Sequence, residues 1–543
     1  MKKITPTVEQ QAVLDCEKDM IITACPGSGK TAVIAEKVRQ ILPSLPEYKG
    51  IAAISYTRKA STELKKRCSF DGIDTKRSFF GTIDSFCISE ILMPFLGHIF
   101  GKTPNQVEVR FFNNLNDEDK ASFDDISINE VEIEQIDLLK DRLKFFYLRG
   151  VILMETVGIL SVFVLDKSKA CQRYIKSRYA AIFIDEYQDS GNPQHELFLR
   201  FRLFGIFSVA VGDVDQSIFA FSHRDPKYLK LLCAKDSGYE NLKLTINHRC
   251  HPSIVNYANR LLNEKCPLLP LVPVDDIRVY RREITGTQIE VVEWINQHLP
   301  AIKKSFGVEH NREIGILVRN SNTGIIVANN LNTPLRLFND NDLTRTPNLS
   351  SNIFASLLNF RFDKNITAQS IIEDFLQRRV KREHLFALRK SISECRNCEI
   401  DAFATSACLV ASYLLGAEVS KDSISKLNTV LANSDDLKFF EPINEDEVQV
   451  MTLHKSKGLE FKVVFHLDLY DWVLPRRVFM QGNYDVIFEN EQECLNLHYV
   501  GVTRAQAACI LLTSTKRLNF SNEIRNANPS QFYSKVGLAN QFK

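Results

Sequence analysis

The chain has 543 residues, of which 44% are hydrophobic and 25% charged, and its net charge is +2. That is ordinary globular chemistry with room for about three or four domains of ~150 residues. A near-neutral balance excludes a bulk electrostatic drive toward nucleic acid, though not a local basic channel.

The N-terminus, MKKITPTVEQQ, has no apolar leader stretch, and the 13 cysteines are scattered and odd in number. Reduced thiols in a cytoplasm are the expectation. MIITA (20–24) reads as a buried strand, ACPGSGKTAV (24–33) as a glycine-rich turn, and TAVIAEKVRQIL (31–42) as the helix that follows. IAAIS (51–55), AAIFI (180–184) and FSVAV (207–211) are further short apolar runs, each ending in polar residues, as in a parallel sheet covered on both faces. Between them a largely helical stretch runs from about Ile88 to Lys169. Its most apolar part, VILMETVGILSVFVL (151–165), is too short to span a membrane and predicts a core helix.

The theme repeats with IGILV (314–318), VQVMTL (448–453), KVVFHLDL (462–469) and ACILLTS (508–514), interrupted by a second helical segment from about Asn348 to Lys438. That segment holds a CxxC, Cys395 and Cys398, but no second close pair that would complete a zinc site. Strand–helix alternation predicts an α/β fold with ligands at the carboxyl ends of the strands.

Two stretches carry chemistry. In the first, Ala24, Cys25, Pro26, Gly27, Ser28 and Gly29 join a strand to a helix that opens with Lys30 and Thr31, the context of a P-loop. Glycines let backbone N–H groups turn toward phosphate oxygens, and the helix N-terminus adds partial positive charge. Lys30 should reach the β- and γ-phosphates of ATP, and Thr31 should offer its hydroxyl to Mg²⁺. The strict pattern has glycine where Ala24 stands. In the second stretch, AAIFIDEYQDSG (180–191), a buried strand drives into three carboxylates. Unpaired buried charge is expensive, so a cation should sit there. Asp185 is placed to hold the magnesium, with Glu186 as the base that orients and deprotonates the attacking water. A solvated acidic turn would leave the preceding apolar run unexplained.

In order along the chain, TVEQQAV, ACPGSGKT, ISYTRKASTELKKR, GTIDSF, IDEYQD, VGDVDQSIFAF, LTINHR, VMTLHKSKGLEFKVV and HYVGVTRAQ resemble the motifs of the UvrD/PcrA/Rep group of superfamily 1 DNA helicases. The resemblance implies two RecA-like P-loop domains, 1A and 2A, each with a mainly helical insertion. The implied boundaries are 1–87 and 170–250 for 1A, 88–169 for 1B, 251–347 and 441–543 for 2A, and 348–440 for a reduced 2B. It also implies ATP hydrolysis and 3′ to 5′ movement on single-stranded or 3′-tailed DNA. Gln10, or Gln11 beside it, should read adenine. Gln188 and Gln216 should sense the γ-phosphate, Arg249 and Arg504 should act as arginine fingers, and Glu460 beside Gly458 should hold the ribose. For DNA, the resemblance points to Thr57, Arg58, Lys59, Thr82, Phe221, Thr452 and His454. Thr57 to Lys59 read equally as a helix cap with a basic turn, and Phe221 as a core phenylalanine.

Two departures stand out. Asp84 replaces a histidine of the group's TFHSF motif, and the second insertion is short, so ATP hydrolysis is implied more firmly than processive unwinding. GTIDSFCISEILMPFLGHIFG (81–101) and RYIKSRYAAIFIDEYQDS (173–190) are more narrowly similar to the GajB family, the helicase-like subunits of Gabija anti-phage systems. This implies a GajA-type partner, an OLD-family ATPase–Toprim nuclease, since no nuclease constellation is visible in this chain. A stand-alone repair helicase, or an ATPase module that senses nucleotide or DNA ends and regulates a nuclease, are the other readings.

Overall fold

The computed structural model describes residues 5–105, 107–128, 131–218, 225–345, 348–376, 380–416, 418–480, 483–519 and 523–543. Helix α1 (Val8–Asp15) leads into strand β1 (Met20–Ala24), helix α2 (Lys30–Ile41), β2 (Gly50–Ile54), helix α3 (Arg58–Cys68) and β3 (Phe79–Gly81). After an insertion the same sheet resumes with β4 (Tyr179–Ile184), β5 (Phe207–Gly212) and β6 (Glu240–Leu244). Its order is β3-β2-β4-β5-β1-β6, and every pairing is parallel. All five residues of β2 are buried, because helices cover both faces and two apolar cores flank the sheet.

A second parallel sheet is built from β7 (Val279–Ile284), β8 (Ile314–Val318), β9 (Leu335–Phe338), β10 (Val448–Thr452), β11 (Phe461–His466) and β12 (Ala505–Ser514), in the order β9-β10-β8-β11-β12-β7. Helix α4 (Glu491–Val502), between β11 and β12, is buried along most of its length.

The segment between β3 and β4 is mainly helical, with one short parallel pair, Glu108–Arg110 against Val151–Leu153. The run 151–165 is therefore not one helix. Val151–Leu153 pairs as a strand, Glu155 turns aside to accept the Phe112 N–H at 3.0 Å, and the helix occupies Val157–Lys167. The helix Ile83–Phe100 is long and apolar enough to cross a membrane by length and composition, yet Phe86, Ile91, Leu92 and Leu96 pack into the first core.

The second helical segment lies between β9 and β10 and has its own core around Phe354, Leu357, Phe403 and Leu427. Its return to the sheet is pinned by Arg336. This buried side chain pairs with Glu447 at 2.8 Å and donates to the carbonyls of Glu441 and Pro442. Helix α3 also meets this segment, through Lys65 and Glu373 at 2.8 Å. No disulfide forms. Cys395 is buried, and Cys398 takes a hydrogen bond from Arg361, so the CxxC packs without a metal cluster among the described residues.

Candidate active site between the two lobes

The turn after β1 must be tight and must let another chain segment come close. Gly27 (φ +71°) and Gly29 (φ +81°) adopt the left-handed backbone that glycine permits. A Cβ on Gly27 would lie 2.6 Å from Arg249 Cβ, and Gly29 caps α2. Gln10 reaches across from α1, its Nε2 donating to Ser28 O at 3.0 Å, while Gln11 turns to Asp15 on the surface. Ser28 Oγ is buried without a partner. An orphaned hydroxyl in a glycine turn at a helix N-terminus, with the Lys30 side chain 11% exposed at the first helical position, fits a phosphate oxygen. Cys25 is no reactive thiol, since burial and the nearby Asp213 carboxylate push it up to about 12.

At the end of β4 the two carboxylates diverge. Asp185 Oδ1 accepts the Glu186 N–H at 2.9 Å, and Glu186 adopts a left-handed φ of +54°, a strained conformation for a non-glycine residue. Burial, then the charge of Glu186, raises the Asp185 carboxyl. Glu186 is held low despite its burial, because Lys30 and Lys457 stand beside it. Lys30 Nζ lies 3.6 Å from Glu186 Oε1. Burial opposes the lysine's charge, but Glu186, Asp213 and Asp185 outweigh it and keep it protonated. Two carboxyl-bearing residues and a first-turn threonine suit magnesium, which keeps waters and shares its shell with substrate phosphates.

From Glu186 a hydrogen-bonded chain crosses to the second lobe. Gln188 Nε2 donates to Glu186 Oε2 (2.6 Å), and its Oε1 accepts the Asp213 N–H (3.0 Å). Gln216 Nε2 donates to Asp213 Oδ2 (2.7 Å), and Arg504 Nη2 donates to Gln216 Oε1 (3.2 Å). Arg504 is 2% exposed and also donates to the Val500 and Leu459 carbonyls. Burial, then the charge of Arg249, lowers it to about 10, which leaves it cationic at neutral pH. Arg249 follows β6, and its Nε lies 2.7 Å from Glu460 Oε2, away from the hydrogen-bond direction. Gly458, two residues before Glu460, takes φ +83°.

Three participants were given no role from sequence, although Asp189 was one of the three carboxylates at the strand's mouth. Lys457 reaches from the second lobe to Asp189 at 2.6 Å and donates to Gln216 O at 2.8 Å. Asp189, 1% exposed at its side chain, is the acid Lys457 pairs with. Asp213 joins the two glutamines. The signals were present: Lys457 stands immediately before Gly458, Asp189 ends IDEYQD, and Asp213 directly follows a buried strand.

Residues 410–516 match the UvrD-like helicase C-terminal domain, and residues 9–222 match an AAA domain. Gabija protein GajB of Bacillus cereus (strain VD045) is 27% identical over 518 residues, covering 92% of this chain and 94% of that protein. The ATP-dependent DNA helicase PcrA of Staphylococcus aureus (strain MRSA252) is 22% identical over 647 residues, covering 98% of this chain and 86% of PcrA. The ATP-dependent DNA helicase Rep of Buchnera aphidicola is 21% identical, covering 94% of this chain and 95% of Rep. The chain is thus similar to UvrD-like helicases along nearly its whole length. Its two parallel sheets are RecA-like domains.

The described residues expected to contact DNA lie near the carboxyl ends of strands in both sheets. Thr57 and Thr82 stand there, but both hydroxyls cap helices, accepting from Ala60 N and Ser85 N. Of Arg58 and Lys59 only the backbone, at the start of α3, is described, and Phe221 lies outside the described residues. Thr452 ends β10 and accepts from Lys455 N, while His454 is kept neutral, lowered to about 4 by burial and by Arg319 and Lys457. A cavity of about 1450 Å³ opens between the first sheet and both insertions, lined in part by Thr82, Asp84, Glu155, Asp185 and Asp189. Carboxylates dominate over Lys227 in its lining, so its depths do not suit a phosphate backbone. Burial pushes Asp84 up to about 6.

Proposed function

We propose that this chain is an ATP-dependent DNA translocase of 3′ to 5′ polarity, working in the cytoplasm as the helicase-like subunit of a Gabija-type complex with an OLD-family nuclease. The single observation behind the motor reading is the chain Glu186–Gln188–Asp213–Gln216–Arg504, which runs from the candidate base in one lobe to a buried guanidinium in the other. The similarity to Gabija protein GajB along nearly the whole of both chains supports the narrower assignment.

In this reading Lys30, Ser28 and the amides of the P-loop bind the triphosphate, and Gln10 orients the loop beside the adenine. Thr31 and Asp185 would hold magnesium, which would supply positive charge against the triphosphate. Glu186 takes a proton from the attacking water. It can do so only after Lys30 and Lys457, which now lean on its carboxylate, shift toward phosphate. Arg504 and Arg249 meet the charge that develops on the transferred phosphoryl group, and such a guanidinium is worth about 10³–10⁵ in rate. Gln216 touches Arg504 on one side and Asp213 on the other, so closure of the cleft reaches the base through side chains that are already connected. Thr57, Thr82, Thr452 and His454 are proposed to line the DNA path.

The test is strand displacement on 3′-tailed and 5′-tailed duplexes, with and without the nuclease partner, alongside DNA-stimulated ATP hydrolysis. Displacement confined to the 3′-tailed substrate supports the reading. Stimulated hydrolysis with no displacement in any condition would replace the motor with a DNA-end sensor.

A further inference from the structure

The loop after β11 holds a residue in the wrong backbone conformation for its type. Trp472 has φ +69°, a left-handed value that only glycine adopts without steric cost, and the residue is 51% exposed. A bulky aromatic kept in such a conformation, and kept out of the core, points to use at that position. The turn around it is closely hydrogen-bonded. Tyr470 and Leu474 are buried on either side, Tyr470 Oη pairs with Ser514 Oγ at 2.7 Å, and the Val473 and Leu474 amides both return to Tyr470 O. Asp471 N donates to Asn528 O, and Trp472 N donates to Asp471 Oδ1.

The ring also has a cationic companion. The Arg477 guanidinium lies 5.3 Å from the Trp472 ring and 5.7 Å from the Phe488 ring, and Asp471 holds it at 2.7 Å. An exposed indole beside a fixed guanidinium is the pairing that accepts the flat face of a nucleobase regardless of its identity.

Its place in the fold agrees. All strands of the second sheet are parallel, so the loop emerges at the same edge as Thr452 and His454. The carboxylate of Asp468, at the start of the loop, accepts from the Arg319 and Asn320 amides at the end of neighbouring β8. This deepens the DNA-motor reading and rests on it: we propose that Trp472, backed by Arg477, is a base-stacking platform for single-stranded nucleic acid on the second lobe.

The sequence contains two tryptophans, and Trp294 is stacked on His298 at 4.1 Å. In a Trp294→Phe background the remaining emission reports on Trp472 alone. The experiment titrates oligo(dT) into that full-length variant, following tryptophan fluorescence and, separately, the anisotropy of a labelled oligo(dT). Quenching that saturates together with anisotropy is expected. Trp472→Gly, which removes the strained conformation along with the ring, should melt no lower than the parent yet weaken oligo(dT) binding roughly 5- to 150-fold, one stacked base at 1.36 kcal/mol per decade. Trp472→Phe should keep most of the affinity. If anisotropy shows binding while fluorescence is unmoved and Trp472→Gly binds as the parent does, the platform is overturned and the motor reading stands. If the parent binds no oligo(dT) under any nucleotide condition, both fall.

Discussion

Glu186 lies between two lysines of different origin, Lys30 from the P-loop and Lys457 from the other lobe, and its second oxygen takes Gln188 as well. A carboxylate so surrounded stays ionised but is a weak base until the lysines find phosphate. Glu186→Gln should therefore retain ATP binding while hydrolysis falls about 10²–10⁴-fold, the usual contribution of a general base. Steady-state turnover beside nucleotide binding checks this. Gly27 supports a second prediction. Gly27→Ala brings a Cβ within 2.6 Å of Arg249 Cβ, whereas Gly72→Ala, at a similar φ of +75°, meets nothing within 4 Å. Both pay the left-handed penalty of roughly 1–2 kcal/mol, so both should melt lower, Gly27→Ala by more because of its clash, while ATPase activity should suffer only in Gly27→Ala.

Within the second lobe, three elements are tied by a buried polar chain. His466 Nδ1 faces Leu467 O, a carbonyl that can only accept, so that nitrogen carries the proton and Nε2 accepts from His498 Nδ1 at 3.1 Å. His498 Nε2 then accepts from Tyr257 Oη at 3.0 Å. The direction of every bond follows from the first. Burial lowers both imidazoles, His466 to about 4 and His498 well below its usual value, the latter pushed further by His466. A histidine with a depressed folded pKa contributes stability that is complete above its unfolded value of ~6.5 and is lost as pH falls through the folded one. His498→Leu should lower the melting temperature at pH 7.5, through unsatisfied partners costing about 1–3 kcal/mol. The gap to the parent should narrow between pH 6.5 and 4.5. A gap independent of pH would contradict the neutral, directed chain. None of this was legible in the sequence, because His466 and His498 are 32 positions apart and nothing in their spacing brings them together. The strands were legible, since runs such as IGILV become wholly buried parallel strands. The stretch 151–165 was not, because composition cannot distinguish a three-residue strand followed by a turn from the first turn of a helix.

Across the whole molecule the P-loop, Asp185 and Arg504 were legible because each lies in a local pattern. Lys457 had only its place before Gly458 to mark it, since its pairing depends on a partner 268 positions away. It joins the lobes, and Asp189 beside it is 1% exposed at its side chain. Lys457→Met should cost about 3–5 kcal/mol by leaving that acid buried and uncompensated. Adding Asp189→Asn should recover a large part, as chemical denaturation of the double-mutant set will read. The pairing of α3 with the second insertion through Lys65 and Glu373 is of another kind. Both side chains are nearly half exposed, so the pair is worth no more than ~1 kcal/mol.

The most direct test of two-lobe catalysis is the single-turnover rate of ATP hydrolysis by Arg504→Ala, measured at saturating ATP and DNA on protein whose nucleotide binding has been verified. A fall of about 10³–10⁵ in rate with binding retained is the predicted result. A rate within tenfold of the parent would mean that the second lobe contributes nothing to the chemistry, and the account of a nucleotide held between the two would be wrong.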